Sequence, residues 1–430
     1  MFLHKLRFLV EESTYIETLE AASCFFDNNS SKIKAYQLSR FNKIWKDAYN
    51  NIPFYTHWKR VNNLPDRICD ITELQNWPIL KKEEIRKYQE LTIRETPPSG
   101  FSITSGSTGI PLKIPVWPSN ATKQNMWIGR AANGYLPGQK TFLIWGHHHL
   151  HGKGIIRTKN IIMRRIKDAI LGYKRISAYD TSVKAMAKAL KKYNSYKPQL
   201  VIGYSSSILS FVRCNPTAKS VHSPLLVLCT AGPLSEKEQE EIRHFFKSPL
   251  CMEYGSVECG VMGYTTANCD HYNVFWNTHL IQGVKDKNGY VKNIVTTLTD
   301  RYFPLIRYDI GDYLSLAEKE DLDSIKEIKT ISGRPTDIVT LKDGTSFFPM
   351  LIEACVEHIS GIISHQLVIK DNQIEILLVA LDLLSEKDFD SIYEKLYSII
   401  PSLKKHTIKI HQVDELQRNA AGKTPLTIKY

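Results

Sequence analysis

Through the first hundred residues the apolar positions keep helical spacing, broken into short segments by Pro53, Pro65, Pro78 and the Pro97-Pro98 pair. Farther along, the pattern changes to compact apolar runs. Thr141-Phe-Leu-Ile-Trp145, Gln199-Leu-Val-Ile202 and Leu225-Leu-Val-Leu-Cys229 each have the length of a buried strand. Between two of these lies a predicted helix over residues 181–194. Val183, Met186, Ala187, Leu190 and Tyr193 share its apolar face, while Lys184, Lys188, Lys191 and Lys192 are free to face water. Strands alternating with helices predict α/β architecture.

The last hundred residues carry a different pattern. A hairpin-like stretch around Lys342-Asp-Gly-Thr345 precedes a helix near residues 350–358. Strand patterns at 366–370 and 373–380 flank the Asp371-Asn372 turn. A second helix begins after Ser385, with Asp388 placed for a capping box and Phe389, Ile392, Tyr393, Leu396 and Ile399 as its face. A strand at 406–412 and a polar tail complete an α+β unit of about a hundred residues, enough for a domain. The expected division is a large α/β domain over 1–333 and a small α+β domain over 334–430.

Composition adds little to the fold but excludes some functions. Hydrophobic residues make up 43% and charged residues 23%, the balance of a globular chain. The formal net charge is +12, and residues 151–200 hold most of it: 13 Lys/Arg against Asp168 and Asp180. The rest is close to neutral, which argues against a protein that coats nucleic acid. Eight cysteines without paired spacing fit a reducing cytoplasm. Charges inside the first apolar run and Glu11-Glu12 after it argue against a secretion signal, and no apolar run has membrane-spanning length. The expectation is a soluble, cytoplasmic protein, at most peripheral to the inner membrane face.

The strongest local chemistry is Thr104-Ser-Gly-Ser-Thr-Gly-Ile-Pro-Leu-Lys113. Gly106 and Gly109 free the backbone to curl, Ser105, Ser107 and Thr108 offer donors to phosphate oxygens, and Lys113 adds a charge. The Gly-Lys-Ser/Thr ending of a P-loop is missing. Tyr254-Gly-Ser-Val-Glu258, Arg307-Tyr-Asp-Ile-Gly-Asp312, Gly333-Arg334-Pro-Thr-Asp337 and Gly422-Lys423 follow in order. At these residues the chain resembles the adenylate-forming ligases: acyl-CoA synthetases, luciferases and peptide-synthetase adenylation domains. Pro304-Leu-Ile-Arg-Tyr-Asp-Ile-Gly-Asp312 and Lys197-Pro-Gln-Leu-Val-Ile-Gly-Tyr204 look most like the phenylacetate–CoA ligase branch. Asn51-Ile-Pro-Phe-Tyr55 and Trp77-Pro-Ile-Leu-Lys81 look like its CapK-type proteins of capsular polysaccharide biosynthesis.

The resemblance covers nearly the whole chain and implies a role for each motif. The loop of Thr104 to Gly109 with Lys113 would hold the β- and γ-phosphates of ATP. Ala231 and Gly232 would lie beside the adenine, with Tyr254 packed on the ring and Gly255 and Ser256 completing that motif. Glu258 would bind Mg²⁺, a hard cation suited to carboxylate oxygen. Asp312 would accept from the ribose hydroxyls, Arg334 would assist near ribose and phosphate, and Lys423, on a small mobile lid domain, would bridge the carboxylate and the α-phosphate. Two departures stand out: Val257 occupies a position that usually carries a hydroxyl, and Pro335-Thr336 replaces the usual acidic hinge.

The implied reaction is adenylation of a carboxylic acid, from a small molecule or a sugar-linked carboxylate, followed by acyl transfer to CoA or an amine. Capsule or O-antigen assembly is the implied setting, and any carrier protein is expected to be a separate chain. The rival reading is a nucleotide-binding, membrane-peripheral assembly factor without turnover.

Three further strings remain. Trp145-Gly-His-His-His-Leu-His151 is a solvated loop by default and a pocket loop in the sharper reading. Cys251, Cys259, Cys269 and His271 offer zinc donors at spacings that match no short zinc motif, so structural Zn²⁺ is the lesser reading. In the basic segment, Ile162, Ile166, Ala169 and Ile170 share a helical stripe flanked by Arg164, Arg165 and Lys167. The default packs that stripe on the core; the alternative is attraction to an anionic membrane or an acidic glycan through residues 151–200. Nucleic acid is disfavoured because aromatic platforms are few.

Overall fold

The structure, a computed structural model, describes residues 30–103, 112–117, 121–136, 138–145, 154–178, 182–216, 221–267, 269–287, 289–318, 320–332, 339–343, 345–347, 349, 351–356, 358–370, 373–417 and 426–429. It gathers into two compact units, one from 1–138 with 251–334, the other from 139–250 with 335–430. Residues 139–250, expected in the first domain, thus cluster with the C-terminal segment.

In the first unit, helices Ser30–Asn51 and Pro53–Val61 bury a band of aromatic rings. Trp45 is fully buried, and its ring meets Trp77 edge-on at 4.9 Å. Tyr55 stacks on Phe303, which ties the helices to the segment that leads into strand Tyr308–Ser315. Strands His279–Lys285, Val291–Thr297, Tyr308–Ser315 and Thr330–Ser332 form an antiparallel sheet in that order. Strands Leu250–Ser256, Gly260–Thr266, Cys269–Val274 and Glu327–Ile328 form a second antiparallel run. A separate hairpin pairs Gly100–Ile103 with Lys113–Val116.

In the second unit the three apolar runs become buried strands Thr141–Trp145, Leu200–Tyr204 and Leu226–Thr230, joined in parallel, with Tyr173–Ser177 at the outer side. Parallel strands need crossovers, and helices Val183–Tyr196 and Ser205–Arg213 supply two of them. Met186, Ala189 and Tyr193 are buried on the first of these helices, whereas Val183, placed on that face by its spacing, is 40% exposed at the first turn. Near the C-terminus, Ile362–Lys370 and Gln373–Ala380 pair antiparallel, and Ile408–Gln412 and Thr427–Lys429 add in parallel on either side. Helix Glu386–Ile399 starts with the expected Ser385–Asp388 capping box. Its Ile392 and Leu396 fill the core of this sheet.

One default expectation is overturned. Helix Gly154–Leu171 forms, but Ile162, Ile166, Ala169 and Ile170 face outward instead of packing on the core. Its inward side holds an ion-pair cluster beside Ile161 and Leu171: Asp168 pairs with Arg175 at 3.1 Å and with Arg164 at 3.8 Å.

Candidate active site

The Tyr254–Glu258 motif occupies the end of a strand and the turn after it. Strands Leu250–Ser256 and Gly260–Thr266 pair back on themselves around Val257-Glu258-Cys259. Gly255 is needed there, because a Cβ would stand 2.7 Å from the Gly260 carbonyl oxygen. The Ser256 hydroxyl oxygen accepts from the Cys259 N–H at 3.0 Å and closes the turn. This geometry leaves Val257 exposed and turns Glu258 inward, where it is only 3% exposed.

A carboxylate so placed needs partners. Lys82 supplies the main one, its Nζ 3.0 Å from Glu258 Oε1, and the Tyr308 hydroxyl donates to the same oxygen at 3.3 Å. The placement of Lys82 has a backbone cause. Leu80 forms an isolated parallel bridge to Tyr308, donating to Arg307 O at 2.9 Å and accepting from Asp309 N at 3.0 Å. The short helix Lys82–Lys87 therefore starts beside the strand that carries Tyr308. Burial pushes the Glu258 carboxyl up, but the Lys82 charge and hydrogen bond outweigh it and hold the group below its usual range.

The resemblance gives this carboxylate to magnesium, and the arrangement does not fit a free metal ligand. Lys82, Tyr308, the Ser256 hydroxyl and its own backbone N–H all reach Glu258. They take up the roughly four acceptor positions of a carboxylate. Among the described residues no group of three His, Cys, Asp or Glu side chains assembles.

A second cluster joins the Tyr254–Glu258 and Arg307–Asp312 motifs. Tyr254 OH donates to Asp312 Oδ2 at 2.7 Å, and Asn293 Nδ2 donates to the phenol oxygen at 2.7 Å. Asp312 gets there through a bulge. Lys292 pairs with Tyr313 and Ile294 with Asp309, so Asn293 alone faces Ile310-Gly311-Asp312. Gly311 adopts φ +89°, a conformation that side chains disfavour, and the bulge re-aims Asp312. Burial and the Asp312 carboxylate push the Tyr254 phenol well above its usual value, so it stays a donor at physiological pH.

Beside the Glu258 turn lies a cavity of about 210 Å³, lined among others by Val257, Cys259, His279, Arg301, Trp117 and Asn125. Arg301 donates one guanidinium nitrogen to the Glu258 carbonyl oxygen, and its Nη1 is buried without a partner among the described residues. Asn125 donates to Val261 O and Thr278 Oγ1, both at 2.8 Å, while its buried Oδ1 likewise lacks a partner among them. Burial lowers His279 to about 4, so it is neutral at physiological pH and can donate Nε2–H to the Cys259 carbonyl at 3.0 Å.

The other expected residues divide. Lys113 ends the Gly100–Ile103 hairpin and is exposed. Ala231 and Gly232 belong to the second unit, where Ser205 Oγ contacts the carbonyls of Thr230 at 3.3 Å and Gly232 at 2.7 Å. Ala231 there adopts φ +64°, the left-handed region. Thr104, Ser105, Gly106, Ser107, Thr108, Gly109, Arg334, Lys423 and the string His147–His151 lie outside the described residues. Cys251 and Cys259 are buried and Cys269 is exposed. Sequence pattern does not mark Lys82, Asn293 or Arg301 as site residues, and reaches Tyr308 only as part of the Arg307–Asp312 string. Lys82 directly follows the Trp77-Pro-Ile-Leu-Lys81 string, the one available pointer to it.

The molecule can be compared with known proteins. Against 2-hydroxyisobutyryl-CoA ligase, solved in its postadenylation state with an acyl-AMP, the TM-score is 0.69 at 14% identity, covering 93% of this chain and 90% of that one. The fold is that of the adenylate-forming ligases. Protein CapK of Staphylococcus aureus is 23% identical over 372 residues, 84% of this chain and 80% of its own. Indoleacetate–lysine synthetase of Pseudomonas savastanoi is 29% identical over 133 residues, about a third of either chain. No family model matches the chain. Within the adenylate-forming ligase fold, the contact between Tyr254 and Asp312 bridges the second and third motifs of the sequence.

Proposed function

We propose that this protein is an AMP-forming ligase that activates a carboxylic acid with ATP. The observation that carries the reading is the Tyr254–Asp312 hydrogen bond, which unites two motifs 58 residues apart into one polar cluster. In this reading Tyr254, Gly255 and Ser256 form the adenine surround, and Asp312 takes the ribose hydroxyls. The loop 104–109 with Lys113 cradles the outer phosphates, and Arg334 assists beside the ribose. The acid's oxygen attacks the α-phosphorus, the bond to pyrophosphate breaks, and pyrophosphate leaves with the electron pair. Lys423 balances the charge that builds on the α-phosphate. A thiol or amine then attacks the acyl carbon and AMP departs. Magnesium would accompany the nucleotide, while Glu258 is held by Lys82.

The cavity beside the Glu258 turn favours a small acid over a long one. The cavity's volume is worth about seven waters. The similarity to indoleacetate–lysine synthetase favours an amine acceptor, and that to the 2-hydroxyisobutyryl-CoA ligase favours CoA. The similarity to Protein CapK supports polysaccharide assembly as the setting, and a cytoplasmic location is part of this reading. The second reading, a nucleotide-binding assembly factor without turnover, draws on Val257 and on a Ser256 hydroxyl already spent in the turn. A pyrophosphate-release screen separates the two. It should span hydroxy, uronic, amino, aryl and fatty acids, each with and without CoA. Release with a small polar acid, abolished in Lys423→Ala, supports the ligase; ATP binding without release across the panel refutes it.

A further inference from the structure

The helix Gly154–Leu171 is built inside out. At about 100° per residue, Asn160, Ile161, Arg164, Asp168 and Leu171 fall on one side, and these are its partly buried residues. Ile162, Met163, Ile166 and Ile170 occupy the opposite side and are 51%, 58%, 49% and 40% exposed, with Ala169 exposed among them. Exposed Lys159 lies at the N-terminal end of that stripe, and exposed Arg165 and Lys167 flank it on its two sides. The partly buried side is anchored by the Arg175–Asp168 pair at 3.1 Å, which fixes which way the apolar side points. A lone exposed isoleucine is ordinary, but four large apolar side chains on one stripe are a contiguous patch.

We propose that this face docks on an anionic lipid surface, the apolar stripe entering the headgroup boundary and Lys159, Arg165 and Lys167 meeting phosphates. Charge selects this occupant. Residues 151–200 carry 13 basic side chains against two acids, so a second copy laid on the stripe would set like charges against each other. A nucleic acid would leave the apolar stripe unserved. No described helix is long and apolar enough to cross a membrane, and this one has the form of a helix that lies in the interface. The proposal does not depend on the ligase reading.

The test is co-sedimentation of the full chain with vesicles of phosphatidylcholine alone or mixed with phosphatidylglycerol. Binding is expected on the mixed vesicles and to fall with salt. Replacing Lys159, Arg165 and Lys167 by Gln should weaken it on the order of 100-fold, about fivefold per charge. Ile162→Ser/Ile166→Ser, at exposed positions, should also lose binding while keeping the wild-type circular dichroism and melting midpoint. Failure of the wild-type chain to bind mixed vesicles overturns the proposal, as does unchanged binding by the isoleucine variant. A concentration-dependent dimer in sedimentation equilibrium, abolished by the same isoleucine changes, would assign the face to a second copy and overturn it as well.

Discussion

Replacing Lys82 by Met should destabilise the first unit through the charge it leaves behind. Glu258 is 3% exposed, and the Lys82 side chain itself is 20% exposed. Breaking a buried pair by removing one partner costs about 3–5 kcal/mol. Tyr308 and Ser256 still donate to the carboxylate, and Lys82 is partly solvated, so the lower end, about 3 kcal/mol, is expected. With a urea slope of about 1–3 kcal/mol/M, the midpoint should drop by on the order of 1 M. Tryptophan fluorescence is a suitable probe, since only Trp145 of the seven tryptophans lies in the second unit.

The pH dependence carries a sign. In the wild-type chain the folded carboxyl sits below its usual value, so its contribution is present above the unfolded value and lost as pH falls through the folded one. Without Lys82, burial, the largest cause, is opposed only by the remaining hydrogen bonds and pushes the folded value up, so the variant's deficit should be widest near neutrality and shrink in acid. Adding Glu258→Gln to Lys82→Met removes the stranded charge and should recover most of the loss. An unchanged midpoint at neutral pH, or a double variant no more stable than the single one, would refute the reasoning.

Other consequences are simpler to read. Asp312→Asn keeps the shape but loses the charge, and should raise the KM for ATP in pyrophosphate release roughly 10- to 100-fold, the range of one charged hydrogen bond. Tyr254→Phe removes the donor to Asp312 and the acceptor of the Asn293 amide but keeps the Asp312 charge, and should raise that KM less than Asp312→Asn; the reverse order would disconnect the pair from nucleotide binding. His279 is depressed to about 4 from 6.5, so the wild-type chain should lose stability as pH falls through that window, where the unfolded state binds the extra proton. In His279→Gln the acid-induced loss over the same window, followed by melting temperature, should be smaller.

Local pattern reached some of these features and not others. The strands at 141–145, 200–204 and 226–230 were readable because a fully buried strand is an uninterrupted apolar run. The Ser385 cap was readable because its partner stands three residues away. Lys82 was not, since its partner is 176 residues on and a lysine after another lysine looks like solvated surface. Periodicity in helix Gly154–Leu171 told which residues share a side but not which side faces the protein. The Arg175–Asp168 pair, beyond the helix's own repeat, decides that. Tyr254 and Asp312 were reached through motif order, whereas the bulge that aims Asp312 depends on Asn293 in a neighbouring strand.

The interleaving of the two units also sets a timetable for synthesis. Residues 1–138 must wait for the 112 residues of 139–250 to leave the ribosome before their partners at 251–334 emerge. At about 5–20 residues per second that interval lasts roughly 6–22 s. Through it the aromatic faces of Trp45, Tyr55 and Trp77 lack Tyr302, Phe303 and Tyr308, with which they share one core. The nascent chain should therefore be a client for holdase chaperones during that interval. A gene fragment ending near residue 334 would encode the whole first unit with only half of the second.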